Sequence, residues 1–167
     1  MLTPPNLPHA ADFMRKDIHT VTPDMSLNDV VEFLLRHKIS NAPVVEGNDG
    51  QQILIGFISE QDCLAALSAE GFYGTPASPQ TAKTIMRMHP ICVDPQTELF
   101  TLASIFVNHD YRHLPVTSGQ ILNGIVSRRD ILQAMNEYYR AQADSERERR
   151  SQPDLTQIIN HRFLVSD

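Results

Sequence analysis

The chain has 167 residues, of which 41% are hydrophobic and 20% are charged, a composition typical of a globular protein rather than a disordered one. Its net charge of −6 argues against a nucleic-acid binder, because affinity for phosphates comes mainly from Lys and Arg. The sequence contains no membrane-length apolar run, and because its first residues lack a basic start and an apolar core, we expect no signal peptide. Two cysteines without metal-ligand spacing, Cys63 and Cys92, suit a reducing compartment, so we expect a cytoplasmic protein that contacts no membrane.

Two copies of one unit follow each other along the chain. A constant offset superposes residues 10–15 on residues 82–87, and after a four-residue contraction Gly56–Ser59 meets Gly124–Ser127. The predicted organisation is a head at 1–9, a first repeat at 10–69, a linker at 70–81, a second repeat with an extended final helix at 82–142, and a C-terminal tail at 143–167.

Each copy is predicted to run as a short strand, a helix, a hairpin of two strands and a final helix. The first helices follow from apolar residues at helical spacing, between Leu27 and Leu35 and between Leu99 and Val107. Ser26 and Thr97 stand at the predicted N-cap positions of these helices. The last helix is predicted to continue to Pro153.

Four motifs occur in the same order in both copies. They are Phe13-Met14 and Ile85-Met86, Val21-Thr22-Pro23 and Val93-Asp94-Pro95, Pro43-Val44 and Pro115-Val116, and the signatures GFISEQD and GIVSRRD. In these motifs each unit resembles a CBS domain, and the pair resembles the tandem arrangement called a Bateman module. The resemblance implies an α+β fold of two β-α-β-β-α repeats related by a pseudo-two-fold axis, and a homodimer formed through helices.

The repeated Ser-x-x-Asp sequence has two interpretations. Ser59 with Asp62 and Ser127 with Asp130 match a capping box, which needs no ligand. A helix N-terminus also attracts anions, because its first N–H groups are free. In the resembled family these positions face a cleft between the repeats, where the Asp accepts hydrogen bonds from the ribose of an adenosyl ligand.

The two copies differ in charge near this sequence. Arg128-Arg129 of the second copy correspond to Glu60-Gln61 of the first. We match Arg112-His113 of the second copy to Asn41-Ala42 of the first. Arg binds phosphate well, although these arginines are equally explained as solvated side chains. We therefore favour the cleft closed by Asp130. By the resemblance, its nucleotide-binding residues would be Ile18, His19, Thr20, Ile39, Ser40, Asn41, Arg112, His113, Ser127, Arg128, Arg129 and Asp130, and a second, weaker cleft would use Ile91, Cys92, Ser59 and Asp62.

No pattern in the sequence supports catalysis. The metalloprotease motif HExxH and the hydrolase motif GxSxG are both absent, so we expect no catalytic residue, metal or catalytic cofactor. His37 and His109 occupy equivalent places, and stabilisation at helix C-termini explains them. We expect a non-catalytic sensor that binds an adenine nucleotide such as AMP, ADP or ATP and signals to an unknown partner protein. The alternative is a dimeric scaffold with no functional ligand.

Overall fold

The computed structural model describes residues 7–47, 50–73 and 79–151, with the backbone alone at 70–73 and 151. The helices are α1 (Ala10–Phe13), α2 (Leu27–His37), α3 (Glu60–Tyr73), α4 (Ala82–Ile85), α5 (Leu99–Asn108) and α6 (Arg128–Ser151), and the strands are β1 (Asn41–Glu46), β2 (Ile53–Ser59), β3 (Arg87–Met88), β4 (His113–Ser118) and β5 (Ile121–Ser127). The predicted α+β class is confirmed. None of the helices in these ranges combines the length and hydrophobicity that a bilayer span requires.

Two equivalent antiparallel hairpins form one sheet of order β1-β2-β5-β4, with β3 beside β2. In each hairpin the ladder begins at the Ser of the repeated signature, with Asn41 opposite Ser59 and His113 opposite Ser127. The hairpins meet where Ile53 pairs with Ile121. Their symmetric contact agrees with the predicted pseudo-two-fold relation.

Two details of the predicted elements are wrong. The N-cap of α5 is Glu98 rather than Thr97, and it makes no side-chain capping bond. The chain before α1 supplies a hydrogen-bond acceptor at the start of α5 instead, because the Leu99 N–H donates to the Pro8 carbonyl at 2.9 Å. The short strand predicted to open the first repeat, which was expected to include residues 18–20, is not formed, since pairing in that region is a single parallel bridge from Val21 to Val44.

Some predicted boundaries differ from the elements or fall outside them. Helix α3 extends into the predicted linker, and α6 continues beyond residue 142 to Ser151. The predicted helix stop at Pro153, residues 1–6 of the head, residues 74–78 of the linker and residues 152–167 of the tail lie outside the described residues.

The segment at the start of each repeat packs on the other repeat. The N–H groups of Ala10 and Ala11 donate to the carbonyls of Thr97 and Pro95, both at 2.9 Å. Arg15 and Ile125 exchange two backbone hydrogen bonds at 2.9 and 3.0 Å. Fully buried Ala10 therefore belongs to the core of the second repeat, with Leu99, Leu102, Leu114, Val116, Val126 and Ile131.

The start of the second repeat packs on the first repeat in the same way. We call residues 10–15 and 82–88 the exchanged segments. The N–H groups of Ala82 and Lys83 donate to the carbonyls of Met25 and Pro23 at 2.8 and 3.0 Å. Strand β3 then pairs with β2, with Arg87 opposite Phe57. Ala82 is fully buried in the core of the first repeat, with Val21, Leu27, Val30, Leu34, Val44 and Ile58. Each core thus includes residues from both halves of the chain.

Two glycines permit the exchanged segments to lie against the sheet. A Cβ atom on Gly56 would lie 2.3 Å from the Met86 sulfur. A Cβ atom on Gly124 would lie 2.5 Å from the Met14 sulfur and 3.0 Å from the Arg15 carbonyl oxygen. Any side chain at either glycine would displace the methionine above it.

We expect Gly124→Ala to destabilise the protein by about 1–3 kcal/mol, because the added methyl overpacks the contact with Met14. Chemical denaturation measures the free energy of unfolding. In a Met14→Ala background the same substitution should cost less, by about 0.5 kcal/mol or more, since the clashing side chain is gone. Strictly additive costs in this double-mutant cycle would contradict the contact.

Candidate functional site

A hydrogen bond between the two repeats separates two clefts. Asn41 Nδ2 and His113 Nδ1, at the first residues of β1 and β4, lie 2.8 Å apart, and both residues line both clefts. Burial lowers the pKa of His113, and the positive charge of Arg15 lowers it further. We therefore take His113 as neutral, with Nδ1 accepting a hydrogen bond from the Asn41 amide.

The first cleft, here named the Asp130 cleft, has a volume of about 360 Å³. It is lined by Arg15, Asp17, Ile18, His19, Lys38, Ile39, Ser40, Asn41, His113, Ile125 and Asp130. Isoleucines from three separate segments supply apolar walls, and the charged groups include two cations and two carboxylates. This combination suits a small ligand with both an apolar body and polar groups.

Asp130 accepts four hydrogen bonds. Its Oδ2 accepts from the Ser127 N–H at 2.8 Å and from the Ser127 hydroxyl at 2.6 Å. Its Oδ1 accepts from Arg15 Nε at 3.3 Å and Nη2 at 3.1 Å. The Asp130 N–H donates to Ser127 Oγ at 3.3 Å, which completes the predicted capping box. The Asp130 side chain is 12% exposed, so one mostly buried carboxylate both caps α6 and faces the cleft.

The second cleft, here named the Asp62 cleft, has a volume of about 390 Å³. It is lined by Ser40, Asn41, Phe57, Ser59, Glu60, Gln61, Asp62, Leu64, Arg87, Asp110, Tyr111, Arg112 and His113. Asp62 accepts from the Ser59 N–H and hydroxyl at 2.9 and 2.6 Å, and from Arg87 Nε at 3.0 Å. The two capping boxes and their arginines are therefore equivalent, but this cleft has three carboxylates against two guanidinium groups.

The structure gathers only part of the predicted residue set. Seven of the residues predicted for the Asp130 cleft line it: Ile18, His19, Ile39, Ser40, Asn41, His113 and Asp130. Buried Ser127 lies behind Asp130, and Arg112 lines the Asp62 cleft instead. Thr20 lines a separate groove, and exposed Arg129 lines neither cleft.

Arg128 lines neither cleft, although both residues that it contacts line the Asp62 cleft. Its Nη2 donates to Asp110 Oδ1 at 2.6 Å, and its Nε donates to the Tyr111 carbonyl at 2.7 Å. Of the residues predicted for the weaker site, Ser59 and Asp62 line the Asp62 cleft, whereas Ile91 and Cys92 do not.

The strand register corrects one correspondence between the copies. Asn41 pairs with Ser59 as His113 pairs with Ser127, so Ser40-Asn41 is the counterpart of Arg112-His113. Matching Asn41-Ala42 to that pair was wrong by one residue. The charge difference remains, because Ser40 is neutral and Arg112 is a cation.

Sequence reasoning missed the two cations of the Asp130 cleft. Arg15 is separated from Asp130 by 115 positions and reaches it only through the exchanged segment. Its recurrence as Arg87 in the second copy was the available signal. Lys38 follows α2 in the left-handed conformation, with φ of 53°, and no sequence pattern pointed to it.

The histidine at the end of α2 packs in a ring cluster beside the cleft. The His37 ring centroid lies 4.0 Å from that of His19 and 4.5 Å from that of Phe33. In the part of the chain that the structure describes, no three His, Cys, Asp or Glu side chains are placed to hold a metal ion.

Comparison with known proteins assigns the family. The CBS domain model matches residues 10–69 and 82–137. The chloroplastic CBS domain-containing protein CBSX1 of Arabidopsis thaliana is 30% identical, over 74% of this chain and 62% of its own length, so this chain spans less than two thirds of that relative. YhcV of Bacillus subtilis is 27% identical, over 72% of this chain and 80% of its own length.

A solved structure gives the same assignment. The crystal structure of CBSX2 in complex with AMP matches with a TM-score of 0.67 and 26% identity, over 78% of this chain and 97% of that one. Since the family model matches more than half of the sequence at two successive positions, the chain belongs to the CBS-domain family as a tandem pair of CBS domains.

Proposed function

We propose that this protein is a non-catalytic regulatory module that binds an adenine nucleotide such as AMP in the Asp130 cleft. The observation that carries the proposal is the Asp130 carboxylate, which is 12% exposed and faces a cleft formed by both repeats. A carboxylate held in this way matches the two hydroxyl donors of a ribose. The related CBSX2, at 26% identity, has been crystallised with AMP.

The lining of the Asp130 cleft suits the three parts of a nucleotide. Ile18, Ile39 and Ile125 are apolar walls against which an adenine ring can pack. Arg15 and Lys38 are the cations available for a phosphate. A volume of about 360 Å³ lies within the range of small-molecule sites.

Charge favours this cleft over the Asp62 cleft. The Asp130 cleft has two carboxylates and two cations, whereas the Asp62 cleft has three carboxylates and two guanidinium groups, and the additional carboxylate disfavours a phosphate. The sequence-based preference depended on Arg128-Arg129 and Arg112-His113, whereas the cations that line the Asp130 cleft are Arg15 and Lys38. The Asp130 cleft remains the proposed stronger site.

Signalling follows from the position of the cleft between the repeats. His19 and Ser40 of the first repeat and Asp130 of the second line the same cleft. A ligand that contacts all three favours the orientation of the two repeats in which it can reach them together. Binding shifts such an equilibrium by the difference in affinity for the two orientations. A separate protein would then respond to that change.

We expect Asp130→Asn to weaken AMP binding by about 10-fold to 100-fold, because hydrogen bonds to a charged group are lost. Isothermal titration calorimetry measures the affinity. The matched control is Asp62→Asn, which removes the equivalent charge in the other cleft and should change AMP affinity by much less. Equal effects of the two substitutions would contradict the choice of cleft.

A scaffold without a ligand gives a different result in a thermal shift experiment. A nucleotide-binding protein is stabilised by mass action as ligand is added. AMP, ADP, ATP and S-adenosylmethionine are the compounds to compare. If none of them raises the melting temperature at millimolar concentration, the scaffold is the better account.

Exposed apolar side chains on equivalent helices support a homodimer. Leu35 on α2 and its counterpart Val107 on α5 are 68% and 84% exposed. Leu64 on α3 and its counterpart Leu132 on α6 are 63% and 71% exposed. Because the same surface is presented twice about a pseudo-two-fold axis, a second copy of the chain can cover both halves with one contact.

Replacing both Leu64 and Leu132 by Glu should convert a dimer into a monomer, because charges would be buried in the contact. Sedimentation velocity measures the mass. Met88→Glu is the control, since Met88 is 65% exposed but lies on β3 rather than on one of these helices, and should leave the mass unchanged. A wild-type protein that sediments as a monomer would contradict the proposed homodimer.

A further inference from the structure

We propose that Arg15 competes with the ribose for Asp130 and pairs with the ligand phosphate once it is displaced, so that this residue selects phosphorylated over unphosphorylated nucleosides. The inference rests on the proposed nucleotide site and adds to it a residue that determines specificity. Arg15 comes from the exchanged segment before the first repeat, whereas Asp130 belongs to the second.

The bonds to Asp130 leave no acceptor site for a further donor. An ionised carboxylate has about four lone-pair sites. Ser127 fills two of them through its N–H and hydroxyl, and Arg15 fills two through Nε and Nη2. A ribose hydroxyl that donates to Asp130 must therefore displace one of these donors.

A ribose hydroxyl displaces the Arg15 bonds to Asp130 more easily than the Ser127 bonds. The Ser127 bonds are short, at 2.8 and 2.6 Å, and they cap α6. The Arg15 bonds are longer, at 3.1 and 3.3 Å, and the Arg15 side chain is 61% exposed. An ion pair in which one side chain is this exposed contributes little, because water competes with the carboxylate for the guanidinium group.

A displaced guanidinium group stays close to the cleft. The Arg15 backbone is fixed by its two hydrogen bonds with Ile125, and Met14 beside it packs against Gly124. Only the side chain is free to turn. The guanidinium group has then lost its hydrogen bonds to Asp130 and can bind the phosphate of a nucleotide instead.

The exchange of partners has opposite consequences for two ligands. Adenosine must break the Arg15–Asp130 ion pair and offers the guanidinium group nothing in return. AMP breaks the same ion pair and replaces it with a bond between guanidinium and phosphate, which is stronger when bidentate.

Calorimetric titration of Arg15→Gln with adenosine and with AMP tests the proposal. Removing the competitor should strengthen adenosine binding by about twofold to fivefold, as expected for a half-exposed ion pair. Removing the phosphate partner should weaken AMP binding by about 10-fold or more. Arg15→Lys, which keeps the charge but loses the bidentate geometry, should retain part of the AMP affinity.

Arg87→Gln is the matched control, because Arg87 holds Asp62 at 3.0 Å in the other cleft and is similarly exposed at 66%. It should leave the affinities for both ligands nearly unchanged. The role of Arg15 would be overturned if Arg15→Gln changed the affinities for adenosine and AMP in the same direction. It would also be overturned if Arg87→Gln strengthened adenosine binding and weakened AMP binding as much as Arg15→Gln does. A wild-type protein that binds neither ligand would overturn the nucleotide site itself.

Discussion

The reciprocal exchange of two short segments is the constraint on which the rest of this structure depends. Met14 lies on Gly124 of the second repeat and Met86 on Gly56 of the first, each close enough that only glycine fits below the sulfur. Ala10 and Ala82 are fully buried in the cores of the opposite repeats. Each repeat therefore completes its core with residues from the start of the other, and the pair is expected to fold as one unit.

The same exchange creates the two clefts and gives them their chemistry. Each exchanged segment carries an arginine to the aspartate that caps a helix of the opposite repeat, Arg15 to Asp130 and Arg87 to Asp62. Between the clefts, the Asn41–His113 hydrogen bond joins the first residues of equivalent strands. Burial lowers the pKa of His113, so this bond is made by a neutral ring and adds no positive charge to either cleft. Arginine from the exchanged segments thus balances the capping carboxylates.

Much of the fold could be predicted from the sequence, because the repeat and its motifs specify helices, hairpins and capping boxes by local rules. The exchange could not be predicted, since a segment that packs on its own repeat and one that packs on the other follow the same apolar pattern. Long side chains were equally ambiguous. Arg128 was predicted to bind the nucleotide but donates to Asp110 and the Tyr111 carbonyl, and an arginine can reach several such partners. Arg15 was missed because its contact with Asp130 exists only after the exchange.

A crystal structure of the protein grown with AMP tests the central claim most directly. The account predicts AMP in the Asp130 cleft, with the ribose hydroxyls on the Asp130 carboxylate and the Arg15 guanidinium turned from that carboxylate to the phosphate. The backbone pairing of Arg15 with Ile125 should be retained. AMP bound at Asp62 alone, or AMP bound while Arg15 still donates both of its hydrogen bonds to Asp130 Oδ1, would contradict it.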